Sequence, residues 1–265
     1  MPIAPFEKAV LRLLAANRNP ESFVAGATIL LREENSHRRS RDIDLFHDAA
    51  ESVKAAAEAD GALLERNGYQ VSWDVVGSAF RRALVAREGG RTKLEWVFDS
   101  AFRFFPVEPD AEWGYALNFW DAATNKILAL AGRGELRDYL DVLQLHGRHL
   151  SLGALAWAAC GKDIGFTPQF LLEEAQRLAH YSAPLLAELD LREPVNLVAC
   201  KKQWLSAVAE ALALFDRLPA EEVGCFYLDA NHHSVTPNPG SPEFAELKRH
   251  FGSVRGAWPV IKGGP

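Results

Sequence analysis

The pattern of apolar and polar residues changes character along the chain. In the first half, short runs alternate polar with apolar residues, which is the period of a half-buried strand. In the second half, apolar residues recur at the spacing of a helix. The border between the two patterns lies near residue 119, so the chain is expected to join a mixed α/β half to a helical half.

The first half is expected to contain both strands and helices. Helices are predicted at 7–17, from about Thr28 through ATILLREE, and at 48–67 with Gly68 as its C-terminal cap. Gly89-Gly90 between two alternating runs indicates a hairpin. Strands are predicted for the segments SFVAG, RDIDLF, YQVSWDVVG, FRRALVARE, TKLEWVFD and WGYALNF.

The second half is expected to be helical up to residue 218. Helices are predicted at 121–132, 135–147, 152–160, 168–181 and 196–217. The segment from Pro219 is rich in Pro, Gly, Asn and His, which is typical of irregular structure. The predicted organisation is therefore an α/β core at 1–119, a helical region at 120–218 and an irregular C-terminal extension at 219–265.

Two aspartates in the predicted strand RDIDLF are candidates for metal binding. Asp42 and Asp44 lie on one strand face, roughly 7 Å apart, while Ile43 and Leu45 face the core. Carboxylates so placed can hold Mg²⁺, which prefers carboxylate and phosphate oxygens, and two-metal sites use such groups in phosphoryl transfer. Glu95, mid-strand in KLEWVFD, is the candidate third carboxylate. Taken alone, the pattern is equally typical of an exposed strand edge.

The residues before the aspartate pair suggest a site for phosphate. A short strand ending at Gly26 leads into a predicted helix, and such a turn presents backbone N–H groups to an anion. The basic run at 37–41 adds arginines, which bind phosphate through two hydrogen bonds. Each feature alone also fits an ordinary surface turn or loop.

Composition narrows the classes of function. The net charge is −6, so any nucleic-acid contact must be local. The three scattered cysteines and an N-terminus without a signal-peptide pattern favour the cytoplasm. No apolar run is long enough to span a membrane. The motifs GxxxxGK[ST], GxSxG and HExxH are missing, which argues against P-loop ATPases, α/β-hydrolases and zincins.

The segment VAGATILLREENSHRRSRDIDLF resembles the AbiEii/AbiGii-toxin-like nucleotidyltransferases, a family of the DNA-polymerase-β-type superfamily. One departure from the family pattern is Ala27, which stands where the family has a second glycine and whose methyl group could push a triphosphate away from the backbone. The matching residues are Gly26, Thr28, Leu30, Arg38, Ser40, Asp42, Asp44, Leu45 and Phe46.

A second segment, ATNKILALAGRGELRDYLDVLQL, resembles the lysine helix and the following Asp-containing helix of the same family. The matching residues are Lys126, Arg133, Arg137, Asp138 and Asp141. A lysine can reach a phosphate as a point charge. Asp138 could fix Lys126 or Arg133 through an ion pair, or act as a base. The resemblance covers about residues 22–146.

The resemblance implies an α+β fold, with an N-terminal nucleotidyltransferase-type mixed sheet flanked by helices and a helical region after it. It implies Mg²⁺ or Mn²⁺ on Asp42, Asp44 and Glu95, and transfer of a nucleoside monophosphate from an NTP to an acceptor hydroxyl. The acceptor would be RNA, such as tRNA, and the protein would be the toxin of a pair with an antitoxin partner. The implied catalytic residues are Asp42, Asp44, Lys126 and Asp138, and the implied nucleotide-binding residues are Gly26, Ala27, Thr28, Arg38, Ser40 and Lys126.

Two other functions remain open at this point. Ala27 would suit a nucleotide-binding module that has lost catalysis. The acidic net charge would suit a small-molecule nucleotidyltransferase of the antibiotic-modifying type, because it attracts a cationic acceptor.

Overall fold

The chain folds into two compact units. A computed structural model describes residues 3–33, 35–40, 42–177 and 179–259. The first unit contains the residues up to Ala122 together with Asp190–Glu193 and Val254–Gly256. The second contains Ala123–Leu189, Pro194–Ser253 and the residues from Ala257 onward. The chain therefore returns twice from the second unit to the first.

The first unit is built on a mixed sheet of seven strands. Its strands are β1 (Ser22–Ala25), β2 (Asp42–His47), β3 (Gln70–Val76), β4 (Phe80–Arg87), β5 (Gly90–Phe98), β7 (Glu108–Asp110) and β8 (Gly114–Ala116), and the short β6 (Phe102–Arg103) lies outside this sheet. The strand order is β3-β4-β5-β2-β1-β8-β7. The pairs β2–β5 and β1–β8 are parallel, and the other pairs are antiparallel. The helices are α1 (Pro5–Leu14), α2 (Ala27–Leu30) and α3 (Ala50–Arg66), and α4 (Phe119–Arg133) begins in this unit.

Local sequence explains where these elements begin and end. Gly68 follows α3 with φ of 79°, and the N–H of Tyr69 donates to the carbonyl of Leu64, which is the glycine cap that the sequence predicts. The turn between β4 and β5 uses Glu88 and Gly89, both with positive φ, because Arg87 already pairs with Gly90. The hairpin is thus confirmed, with its two-residue turn one position earlier than Gly89-Gly90.

The second unit is mainly helical. Its further helices are α5 (Leu136–Arg148), α6 (Leu152–Ala159), α7 (Pro168–Arg177), α8 (Ala183–Ala187) and α9 (Leu197–Phe215). All eight residues of α6 are buried, and this helix packs against α9. The strands β9 (Cys225–Leu228) and β10 (Lys248–Phe251) pair antiparallel, and β11 (Ser253–Val254) follows. Among the described helices, none combines the length and apolar character needed to cross a membrane.

Three expectations from the sequence are wrong in detail. The segment 219–265, expected to be irregular, contains β9 and β10; the four residues of β9 are all buried, so packing stabilises a strand between turn-rich flanks. The helix expected over ATILLREE ends at Leu30. The strand expected over WGYALNF stops at Ala116, and Asn118 starts α4 by accepting a hydrogen bond from the N–H of Trp120.

Candidate functional site

Asp42 and Asp44 share one face of β2, as the alternation predicts. Both are half-buried, whereas Ile43 and Leu45 on the other face are fully buried in the core. Asp44 pairs in register with Ala25 of β1 on one side and with Glu95 of β5 on the other. We call Asp42, Asp44 and Glu95 the strand carboxylates.

Gly26 brings the turn after β1 into direct contact with Asp44. Its φ of 66° lies in the left-handed region, and a Cβ added to it would sit 1.8 Å from Oδ2 of Asp44. Both the backbone conformation and the space available therefore require glycine at this position. Ala27 is the first residue of α2 and has a right-handed helical backbone, so no glycine-specific conformation is needed there.

Asp42 is held by side chains from three segments. The Oγ of Ser40 donates to the Asp42 carbonyl oxygen at 3.0 Å, and Oγ1 of Thr28 donates to the same atom at 3.4 Å. The Nζ of Lys93 on β5 lies 3.3 Å from Oδ1 of Asp42. The two hydroxyls that the family resemblance assigns to nucleotide binding thus fix the start of β2.

Glu95 lies beside Asp44 but is engaged by an arginine. The Nε of Arg82 on β4 donates to Oε1 of Glu95 at 2.7 Å, and this hydrogen bond raises the pKa of Arg82 above its ordinary value. Arg82 also lies 3.4 Å from Asp74 on β3. Within the part of the chain that the structure describes, no three His, Cys, Asp or Glu side chains converge closely enough to hold a metal ion.

The basic run before Asp42 is part of the folded first unit. Arg38 is 4% exposed and pairs as an isolated antiparallel bridge with Leu191. The N–H of Arg39 donates to the carbonyl of Asp190 at 2.9 Å, and the N–H of Arg192 donates to that of His37 at 3.0 Å. Backbone pairing with a segment about 150 residues later therefore fixes this run. Arg41, the last residue of the run, lies outside the described residues.

Lys126 and Asp138 lie together in the second unit. The Nζ of Lys126 on α4 is 2.7 Å from Oδ1 of Asp138 and 3.1 Å from Oδ2 of Asp141, both on α5. Arg133 donates from Nε to Oδ2 of Asp138 at 2.7 Å. We call Asp138 and Asp141 the helix carboxylates. Spacing by three residues places both on one helix face, toward Lys126.

The environment of Asp138 favours its charged form. Its side chain is fully buried, which opposes ionisation, but the charge of Lys126 and the hydrogen bond from Arg133 outweigh burial and lower the pKa of Asp138. Of the two roles that the resemblance allowed, the ion pair with Lys126 and Arg133 is the arrangement present. A base would need a carboxylate with a higher pKa and a path to the proton that it accepts.

Sequence reasoning missed two cations of the strand site. Lys93 stands two positions before Glu95 and faces the same side of β5. It pairs in register with Asp42. Arg82 pairs in register with Glu95. The period of two along β5 could have placed Lys93 on the carboxylate face, but the pairing of β5 with β2 depends on the fold.

A glycine turn that contacts an Asp-x-Asp strand, within a mixed sheet flanked by helices, defines a nucleotidyltransferase-type protein. The family model for the AbiEii nucleotidyl transferase toxin, of the type IV toxin–antitoxin system, matches residues 11–218. The chain therefore belongs to this toxin nucleotidyltransferase family, as the sequence predicts. No curated protein matches the chain.

The chain is also similar to solved structures. MenT4, a nucleotidyltransferase toxin from Mycobacterium tuberculosis H37Rv, is 18% identical with a TM-score of 0.57, and the match covers 82% of this chain and 83% of MenT4. JHP933 from Helicobacter pylori is 17% identical with a TM-score of 0.49, over 79% of this chain and 90% of JHP933. The likeness to MenT4 supports the α+β nucleotidyltransferase fold.

Proposed function

We propose that the protein transfers a nucleoside monophosphate from an NTP to an acceptor hydroxyl with the help of Mg²⁺ or Mn²⁺. The observation that carries this proposal is the contact between Gly26 and Asp44. A triphosphate bound at the turn would lie beside the pair Asp42 and Asp44, where a cation can bridge carboxylate and phosphate oxygens. The family membership supports the same reaction class.

The strand carboxylates fit a hard divalent cation that takes part of its ligands from the substrate. Asp42 and Asp44 supply oxygens on one strand face, and Glu95 stands next to Asp44. Mg²⁺ usually binds one or two carboxylates together with phosphate oxygens and water, so a cage of three protein ligands is not required. When bound, the cation would neutralise charge on the phosphates and orient them for in-line displacement.

The residues around the pair would hold it in position. Thr28 and Ser40 donate to the carbonyl of Asp42, so we assign them to positioning β2. Lys93 would balance the charge of Asp42 before substrate binds and then remain near the phosphates. Lys126 stays a predicted nucleotide-binding residue, and we assign Asp138 to holding it, since this carboxylate binds the ammonium of Lys126 at 2.7 Å.

We further propose RNA, and tRNA in particular, as the acceptor, with the cytoplasm as the location. The net charge of −6 limits an RNA contact to a small area, such as a chain end with its terminal hydroxyl. Membership of a toxin–antitoxin family supports an antitoxin partner that blocks the reaction.

The test is transfer of label from each of four α-³²P-labelled NTPs to total RNA, protein and small molecules. The wild-type protein with Mg²⁺ should label RNA. Asp42→Asn should abolish labelling, because the amide cannot provide the charge that binds the cation. Asp216→Asn, the same change at an exposed carboxylate directly after α9 in the second unit, is the matched control and should retain activity.

The distribution of the label decides between the alternatives. Label in a small molecule would replace RNA as the acceptor and support an antibiotic-type transferase. No transfer from any NTP, in the presence of NTP binding, would support the non-catalytic module. Wild-type turnover by Asp42→Asn would contradict the assignment of the strand carboxylates.

A further inference from the structure

The first unit contains a half-open cavity of about 320 Å³, and none of the residues that line it has a role in the function proposed above. It lies where the end of α2 meets β7, β8 and the start of α4. Its volume is within the range of small-ligand sites. Its walls include the rings of Trp113 and Phe119, the aliphatic Leu117 and the charged Arg32, Glu108 and Asp110.

One wall of the cavity is formed by the guanidinium group of Arg32, which is planar and held in place by its neighbours. The guanidinium carbon of Arg32 lies 4.2 Å from the centre of the Trp113 ring, and its Nη1 donates to Asp110 at 2.5 Å. Asp110 in turn accepts hydrogen bonds from the N–H groups of Glu112 and Trp113. The side chain of Arg32 is nonetheless 50% exposed, so it can offer a planar surface to a ligand. Nucleobases stack on guanidinium planes and aromatic rings of this kind.

The charges at the mouth select against phosphate. Glu33 and Glu108 are exposed carboxylates, and Arg32, the arginine among the described lining residues, is already paired with Asp110. Glu108 accepts a hydrogen bond from Nδ2 of Asn118 at 2.6 Å, and a carboxylate has room for further donors. A flat ligand with an amino group therefore fits better than an anion. Cytosine, adenine and guanine carry such a group, and carboxylates accept from the amino group of cytosine.

The cavity and the strand carboxylates lie at opposite ends of α2. Gly26, directly before this helix, touches Asp44, whereas Ile29 and Arg32 at its other end line the cavity. From Gly26 to Arg32 the chain advances six residues, most of them in α2, which corresponds to roughly 9 Å at about 1.5 Å per residue. One nucleotide can extend over such a distance from base to phosphate.

We propose that this cavity binds an amino-bearing nucleobase of a substrate whose phosphate or terminal hydroxyl lies at Asp42 and Asp44. The base belongs either to the incoming NTP or to the end of the acceptor RNA. This inference rests on the proposed function for the identity of its substrates, but base binding itself can be measured without any transfer reaction.

The first experiment measures binding of cytidine and uridine by saturation-transfer NMR. The two probes differ at the position of the amino group and are otherwise matched in size. Cytidine should bind the wild-type protein, and uridine should bind about tenfold more weakly because a carbonyl oxygen, which the Glu108 carboxylate repels, replaces the amino group that donates to it. Arg32→Ala should weaken cytidine binding about tenfold, the order of energy of one stacked base. Glu108→Gln should reduce the preference for cytidine.

Arg87→Ala is the matched control. Arg87 lies over the ring of Tyr69, with its guanidinium carbon 4.5 Å from the ring centre, but does not line the cavity. This variant should bind cytidine as the wild type does. Equal binding of cytidine and uridine, or unchanged cytidine binding in Arg32→Ala, would overturn the proposal. Binding of lysine amide or arginine amide in place of cytidine would also overturn it, in favour of a cationic side chain of a partner protein.

The second experiment distinguishes the source of the base. CTP with Mg²⁺ and the trinucleotide CpCpC are each titrated against the wild type and Arg32→Ala. Selective loss of CTP affinity would support the incoming nucleotide, and selective loss of CpCpC affinity would support the acceptor end. Equal affinities of both proteins for both ligands would refute the site. Cytidine binding without any labelled transfer would leave this site standing and reject the proposed function, whereas transfer without cytidine binding would do the reverse.

Discussion

The strand carboxylates and the helix carboxylates contain the same chemical groups in different surroundings. Asp42 is about 20% exposed, and the ammonium of Lys93, 3.3 Å from it, is half exposed. Asp138 is fully buried, and the ammonium of Lys126 that it binds at 2.7 Å is 7% exposed. Solvent screens the first pair, whereas the second is in a medium where Coulomb forces are strong.

The difference in burial determines which carboxylate can exchange its partner. An exposed lysine can leave Asp42 at little cost, so a cation or phosphate can take its place. Separating Lys126 from Asp138 would leave a buried charge without compensation, which is strongly unfavourable. We therefore expect changes on the strand to affect chemistry and changes on the helices to affect stability as well.

The largest effect on stability is expected for Asp138→Asn. The substitution removes the charge that compensates Lys126 and Arg133, and breaking a buried ion pair costs about 3 kcal/mol or more. For a chain of this size the melting temperature should fall by roughly 10 °C, measured by calorimetry. Asp141 stays near Lys126, which keeps the loss at the lower end of that range.

Asp44→Asn provides the comparison for this measurement. It should change the melting temperature by at most about 2 °C, because its side chain is only half-buried, while removing labelled transfer. Equal melting temperatures for the Asp138 and Asp44 variants would show that burial does not separate the two groups.

The next largest effect on stability is expected from His47, which lies on the buried face of β2, the strand that carries Asp42 and Asp44. His47 is fully buried, and neither ring nitrogen has a hydrogen-bond partner among the described residues. Burial, with a smaller contribution from the charge of Arg18, lowers the pKa of His47 from 6.5 to about 4. Between these pH values the unfolded chain binds the proton more readily, so stability falls as the pH falls through this window.

The variant His47→Leu isolates the contribution of His47 protonation to the pH dependence of stability. Between neutral pH and about 4, the wild type should lose roughly 3 kcal/mol more stability than the variant, measured by urea unfolding. Other groups titrate in both proteins and cancel in the difference. Parallel losses in the two proteins would contradict a neutral, buried His47.

The contact between Gly26 and Asp44 predicts a somewhat smaller effect. Gly68→Ala places a Cβ at φ of 79° with no atom within 4 Å, so it should cost only the left-handed backbone strain, about 1 kcal/mol. Gly26→Ala adds the displacement of Asp44 and should cost roughly 2 kcal/mol or more. Transfer activity should fall only in the Gly26 variant.

A double variant tests the cause. With Asp44→Ala in place, the added cost of Gly26→Ala should fall towards that of Gly68→Ala, because the oxygen at 1.8 Å and the carboxyl carbon at 2.6 Å are gone and only the Cβ of residue 44, at 2.9 Å, still crowds the new methyl group. Strict additivity of the two changes would indicate that Asp44 moves aside without resistance.

The smallest effect is expected for Lys93→Met. The pair with Asp42 is half exposed and worth less than about 1 kcal/mol, so the melting temperature should not change. Mn²⁺ affinity, measured by electron paramagnetic resonance, should rise a few-fold because the competing ammonium is removed. Lys54→Met, on the exposed side of α3, is the control and should not change it. A fall in Mn²⁺ affinity with Lys93→Met would contradict competition.

Much of the fold could be predicted from local patterns. The alternation of DIDLF placed Asp42 and Asp44 on the outer face and Ile43 and Leu45 inside, since the period of a strand is fixed by its backbone. The strand β9 was not predicted. Its residues CFYL are buried by packing against α6. Tertiary contacts of that kind have no local signature.

For the candidate site too, the positions of residues along a strand could be predicted, but their partners from other segments could not. Glu95 lies beside Asp44 as expected for a neighbouring strand, but its pairing with Arg82 follows from the β4–β5 register. Arg38 is expected from the sequence either to bind nucleotide or to lie in a solvated loop. It is buried, because a segment far along the chain pairs with its backbone. The carboxylates could be foreseen from their strand patterns, whereas the cations that pair with them and the distant backbone pairing could not.

That distant pairing sets an order of events during synthesis. The hydrogen bonds that join His37 and Arg39 to Asp190 and Arg192 cannot form until the ribosome has released the residues beyond 190. Most of the first unit is translated long before, but the segment that leads into Asp42 is completed late. The aspartate pair is therefore synthesised well before its surroundings are complete. The delay equals the time that the ribosome needs to translate about 150 residues.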